Sequence, residues 1–201
     1  MTGLVACDPG TLSLGEGVPA PRSSVPHVAV STSAYWVREP LALVGIQRDL
    51  GREDEQILGL VNDTTLKGDN FLLMLAGSQG GADLPAFQLK SFVERVGGAP
   101  SPFSRVSDSD LRSGSDALGT YFWLEYRSGA QTNCVLAIRR LGLGSRILPA
   151  RAKSLDVMLR NCVLGPIELA LAPILADRIG SSVGGNPSGP RLMSPLAGPT
   201  L

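Results

Sequence analysis

The chain has 201 residues, of which 43% are hydrophobic and 18% charged, with 18 Lys and Arg against 18 Asp and Glu. That length fits one domain with extensions, and the apolar content supports a sizeable core. The absence of a basic excess argues against a dedicated nucleic-acid binder. No apolar run approaches the roughly 20 residues that a bilayer-crossing helix needs.

The first seven residues end in Leu4-Val5-Ala6-Cys7, which is similar to a bacterial lipobox, whose cysteine is acylated after signal cleavage. A secretory signal needs a basic start and an apolar stretch ahead of such a site. Only three residues precede the box. Two readings stand: the true signal lies upstream of this start, or the match is chance and Cys7 is an ordinary tail residue. Under the first, Cys7 is the lipidation candidate and the only link to a membrane.

Residues 8–34 are rich in Gly, Pro, Ser and Thr, and Pro9, Pro19, Pro21 and Pro26 oppose regular helix. Residues 1–34 therefore read as a start segment and linker, residues 35–179 as a compact domain, and residues 180–201 as a second flexible tail with four prolines. Tyr35 and Trp36 open the domain, either as a partner contact or folded back onto it.

A strand is expected near 41–48, followed by a solvated charged turn from Arg48 to Glu55. Ile57–Val61 and Phe71–Leu75 pair as a hairpin across the turn formers of Asn62 to Asn70. A first helix covers about 84–96. Leu89, Phe92, Val93 and Val96 form its apolar stripe, and Gly97-Gly98 end it.

A polar loop from Ser101 to Gly119 leads to a second unit. Tyr121–Tyr126 and Gln131–Arg139 form a hairpin around Arg127-Ser128-Gly129-Ala130. A helix is expected at about 153–163, with Ser154 as N-cap, and a last helix at about 167–178, bent at Pro173. The fold expected is α+β: an antiparallel sheet built from two hairpin-plus-helix units, helices on one face, between flexible tails.

Cys134 shares a strand face with Leu136 and Ile138 by alternation. Cys162 shares a helix face with Leu155, Met158 and Leu159 by the i, i+3, i+4, i+7 rule. Both thiols then face one core. In an oxidising compartment they can bond, and closing a loop of about 29 residues would stabilise by roughly 3 to 4 kcal/mol in the chain-entropy model. Otherwise they are two buried thiols acting as small hydrophobes. With no C-x-x-C pair and a single histidine, no metal site and no cofactor are expected.

Catalytic motifs are scarce. His27, the one histidine, lies in the Pro-rich tail, without the support that a Ser-His-Asp or Cys-His site requires. Gly77-Ser78-Gln79-Gly80-Gly81 lacks the glycine two residues before the serine that marks a nucleophile elbow, and reads as a glycine-rich turn. Asp108, Asp110 and Asp116 cluster in the polar loop. Glu125 alternates with Tyr121 and Trp123, so these three share a sheet face. That face is either a sugar-stacking platform, with Glu125 and an aspartate as a hydrolase pair in the extreme case, or an amphipathic surface covered by another element. Phe122, Leu124 and Tyr126 take the other face as core. Arg139, Arg140, Arg146, Arg151 and Lys153 run without an intervening acid, and Arg160 follows. They dock an acidic partner or anionic lipid headgroups, or else are solvated. Tyr121, Trp123, Arg139, Arg140 and Arg146 are thus the candidate partner or glycan contacts.

The stretch Gly129-Ala130-Gln131-Thr132-Asn133-Cys134-Val135-Leu136-Ala137, an Arg-rich connection, then Leu159-Arg160-Asn161-Cys162-Val163 and Glu168-Leu169-Ala170-Leu171-Ala172-Pro173 resembles the BcsN family, accessory proteins of cellulose synthesis operons in alphaproteobacteria. The resemblance covers about residues 35–178. It implies a non-catalytic role supporting cellulose assembly or export in the periplasm or membrane-anchored envelope, with cellulose synthase components as partners. It also maps Cys134 and Cys162 onto the family's paired cysteines. A binding or assembly lipoprotein of a pilus or secretion machine is the alternative from residues alone, with a carbohydrate-active enzyme behind it.

Overall fold

The computed structural model describes residues 24–78, 89–103, 106–144, 146, 148–149 and 151–180. Cys7, the linker before residue 24, the tail after residue 180 and the start of the expected first helix lie outside them.

Among the described residues, eight strands form one antiparallel sheet. The first four are β1 (Val28–Val30), β2 (Ala42–Asp49), β3 (Glu53–Leu60) and β4 (Asn70–Gly77). The second four are β5 (Arg112–Asp116), β6 (Gly119–Ser128), β7 (Thr132–Gly142) and β8 (Ser154–Leu164). The spatial order is β1-β2-β3-β4-β8-β7-β6-β5. Each set of four is a meander, and the two meanders join through antiparallel pairing of β4 with β8, Leu73 opposite Met158. The chain passes from β4 to the far edge through α1 (Leu89–Arg95), then works back inward.

β2 and β3 form a tight hairpin in which Gly51 adopts φ 81° and its amide donates to Asp49 Oδ1 at 2.6 Å. The charged segment from Arg48 to Glu55 is thus mostly strand. Glu55 is buried and accepts from Arg48 Nε at 2.6 Å, with His27 Nε2 at 3.0 Å from the same oxygen. Strand pairing begins at Val28, inside the segment read as linker, and Tyr35, Trp36 and Val37 fold back into the core.

The expected helix at 153–163 is instead β8, the innermost strand of the second meander. It is buried along nine of its eleven residues, from Ser154 to Cys162. A strand covered on both faces has no need to alternate, so its apolar residues can fall on a helical spacing by coincidence. The last helix is broken into α2 (Ile167–Leu171), a 3-10 turn over Ala172–Ile174 and α3 (Ala176–Ile179). Pro173 is placed in that turn, where its missing N–H costs no helical hydrogen bond. The polar loop before β6 contains the edge strand β5.

Helices cover both faces rather than one. Leu89, Phe92 and Val93 of α1 pack with Leu73, Leu136, Ile138 and Met158. Ala170, Leu171, Ile174 and Ile179 pack on the opposite face with Leu72, Met74, Ala137 and Leu159. The architecture is therefore mainly β, with short helices on each side. Among the described residues, no helix is long and apolar enough to cross a membrane.

Candidate functional site

Cys134 and Cys162 are register partners on β7 and β8, with Cα atoms 4.0 Å apart, and form a disulfide with S–S 2.04 Å. The bond joins two neighbouring strands, not a hairpin to a helix behind it. Both cysteines are buried with Leu136, Ile138 and Met158. Asn70 holds this part of the sheet from β4. Its side-chain amide donates to the carbonyls of Cys162 (2.9 Å) and Val61 (2.7 Å), and its Oδ1 accepts from the Cys162 amide (2.8 Å). In sequence Asn70 reads only as a turn former. Its role depends on a strand 92 residues away and leaves no local signal.

Arg139, Arg146 and Arg160 are turned inward, while Arg151 and Lys153 of the basic run stay exposed. Arg139 is 0% exposed. It donates to Asp116 Oδ2 at 3.0 Å and Oδ1 at 2.8 Å, and to the carbonyls of Ile174 (3.0 Å) and Gly119 (3.2 Å). Arg146 is buried too and donates to the carbonyls of Ile179 and Trp36, tying α3 to the segment before β2. Arg140 pairs with its cross-strand neighbour Asp156, Nη2 to Oδ2 at 2.8 Å. Arg160 is 0% exposed and donates to the carbonyls of Ser101, Gly68 and Lys67 and to Asn70 Oδ1. Arg139 and Arg146 are therefore withdrawn from the partner-contact role, because their guanidiniums serve as interior cross-links. Burial pushes the Arg146 and Arg160 pKa values down from the ordinary arginine range, with the charge of Asp69 opposing the shift at Arg160.

Asp116 is committed in the same way. Besides Arg139, its carboxylate accepts from the amides of Ala176 (3.0 Å) and Leu118 (2.9 Å). Burial raises its pKa, but the Arg139 hydrogen bond, the Leu118 amide, the Arg139 charge and the Ala176 amide outweigh that and hold it below the usual carboxylate value. A carboxyl held ionised in this way is poorly suited to donate a proton. Asp108 and Asp110 bound a 3-10 turn just before β5.

The aromatic face of β6 forms as read. Tyr121 and Trp123 stack with ring centroids 5.5 Å apart and 27° between planes. Both are half-buried. The Trp123 indole donates to Glu125 Oε1 at 3.1 Å, and Arg112 Nη2 and Arg127 Nη2 stand 3.3 and 3.7 Å from Glu125 Oε2. The Arg139 guanidinium carbon lies 5.6 Å from the Tyr121 ring centroid. Gly114 on β5 makes room for this ring: a Cβ there would fall 2.5 Å from Tyr121 Cζ. Trp123 also packs against the buried core on that face, so the pair is a partly covered aromatic stack near the sheet edge, bordered by two exposed arginines and a carboxylate. On the other face Leu124 is buried and Phe122 packs against the core, whereas Tyr126 is exposed at the strand end.

Among the described residues, no group of three or more His, Cys, Asp or Glu is placed to hold a metal ion. Comparisons with protein-family models, with curated proteins and with solved structures return no match.

Proposed function

We propose that this chain works outside the cytosol as a non-catalytic, disulfide-stapled accessory protein of bacterial cellulose assembly or export. The observation that carries the reading is the Cys134–Cys162 bond in the middle of the sheet. Such bonds persist in oxidising compartments and are rare in the reducing cytosol. The cysteine-bearing segments are also those that resemble the BcsN family, and the resemblance supplies the cellulose context.

The exposed part of the Trp123 ring, with Tyr121 packed between it and Arg139, supplies the polysaccharide contact in this reading. Aromatic rings present apolar faces to the C–H-rich faces of sugars, and the Glu125, Arg112 and Arg127 groups beside them offer hydrogen bonds to hydroxyls. Acylation at Cys7, with an upstream signal, would tether the domain to the envelope beside its synthase partners.

Deletion of the gene in its native host tests the role. Altered cellulose amount or fibre texture, restored by the wild-type chain, is the expected result. Unchanged polymer in both respects would remove the cellulose assignment. Affinity electrophoresis in a soluble β-glucan tests the contact: retardation lost in Trp123→Ala supports it, and migration unaffected by the glucan refutes it.

A further inference from the structure

At the other end of β8, on the face covered by α2 and α3, lies a cavity of about 330 Å³, separate from the aromatic stack. It opens between the ends of β3 and β8 and the α2 region. Its mouth is apolar and open: Leu41, Val61, Leu164 and Leu169 line it and are all exposed, Leu41 at 62% and Leu169 at 55%. Scattered exposed leucines are ordinary on protein surfaces, but a contiguous set around one concavity marks a binding site.

Glu39 lines the same cavity, with its side chain 2% exposed. Glu39 Oε1 accepts from the Leu41 amide at 3.0 Å, while Arg178 Nη1 stands 3.9 Å away, beyond hydrogen-bond reach. Glu39 Oε2 is buried and has no hydrogen-bond partner among the described residues. An unsatisfied buried carboxylate oxygen is costly, and the cost is recovered when a donor reaches it. Among the described residues lining the cavity, the charged ones are Glu39, Asp63 and Arg178, which gives one net negative charge. Arg178 is further neutralised by Asp177, whose Oδ2 lies 3.7 Å from Arg178 Nε.

We infer that this cavity binds an amphipathic amine: an apolar body in the leucine-lined mouth, with a protonated nitrogen donating to Glu39 Oε2. An anionic ligand would meet the wrong charge, and a purely apolar one would leave the buried oxygen unsatisfied. The inference is independent of the compartment and of the cellulose role.

The test titrates the full-length wild-type chain with hexylamine, hexanol and hexanoate at equal concentrations, read by backbone amide NMR shifts. Hexylamine should move the amides of Leu41, Val61, Leu164 and Leu169 and bind on the order of tenfold tighter than hexanol, with hexanoate weakest. Glu39→Gln should erase the difference between hexylamine and hexanol. Hexylamine that binds no better than hexanol, or shifts that centre elsewhere, would overturn the inference. If Glu39→Gln does not fold, the ranking of the three probes on the wild-type chain decides the matter alone.

Discussion

Arg139 and Asp116 form an ion pair that crosses a strand: Arg139 on β7 reaches over β6 to the edge strand β5, Nη2 to Oδ1 at 2.8 Å. Tyr121 lies beside the guanidinium, and the Ala176 amide at the start of α3 closes on the same carboxylate. One contact thus fixes the edge of the sheet, the aromatic stack and the C-terminal helices together. Asp116→Ala leaves a fully buried guanidinium without its counter-ion and should cost about 3 kcal/mol. The pair Asp116→Ala with Arg139→Met should cost clearly less than the sum of the two single changes, as measured by urea denaturation.

The same carboxylate gives a pH dependence of defined sign. Its pKa in the folded protein is below its unfolded value. The stability it contributes is therefore present above about pH 4, the unfolded aspartate value, and is lost as pH falls through the lower folded value. Denaturation at a series of pH values should show wild-type stability falling below about pH 4, with that portion of the fall missing in Asp116→Asn. Asp54 contributes the opposite slope, because burial and the Asp49 charge raise its pKa. Asp54→Asn should gain stability relative to wild type as pH rises through about 4.

Arg160 organises the loop before β4 by holding the carbonyls of Lys67 and Gly68. Arg160→Met removes these donors from part-buried carbonyls and from the buried Asn70 Oδ1 and should destabilise by about 2 to 4 kcal/mol. Arg160→Lys, a point charge without the planar fork, should recover only part of that. Amide hydrogen exchange should accelerate first in residues 62–70. Unchanged protection there would show that the loop does not depend on the guanidinium.

Gly45 lies under the Tyr35 ring, where an added Cβ would fall 2.2 Å from Cε1. Gly45→Ala should cost about 1 to 3 kcal/mol by overpacking. Tyr35→Leu should relieve much of that penalty in the double variant, which a thermal melt of all four proteins would reveal.

Apolar runs bounded by clear turns were readable in the sequence, even in β4 and β7, which are buried on both faces. β2, the β3–β4 hairpin and the β6–β7 hairpin appear where apolar runs and turn formers place them, and Cys134 takes its expected side of β7. β8 was not readable. It is buried on both faces, and its polar residues Asp156, Arg160 and Asn161 are satisfied by Arg140, by the loop before β4 and by the Ala170 carbonyl. None of those partners is a sequence neighbour, so the polar positions mimic the outer face of a helix. The pairing of Cys134 with Cys162 survived the misread element because both patterns turn the Cys162 side chain toward one core. The arginines misled for the same reason as β8: charge predicts exposure only where no distant carbonyl or carboxylate waits to receive it. Glu39 carried no motif at all, and its place in a cavity depends on Arg178 and the ends of three separated elements.

Cys134→Ala with Cys162→Ala should lower stability by about 3 to 4 kcal/mol in the chain-entropy model, given a sequence separation of 28. Urea denaturation of the oxidised, reduced and double-variant proteins would check this, with the reduced and double-variant forms agreeing closely.

The most direct measurement is the redox state of these two sulfurs in living cells. Native host cells would be quenched in acid, free thiols alkylated, and the protein digested without reductant for mass spectrometry. A linked pair of peptides containing Cys134 and Cys162 in nearly all of the protein is the result expected of a chain that works beyond the cytosol. Recovery of both cysteines as alkylated thiols in freshly quenched cells would contradict it.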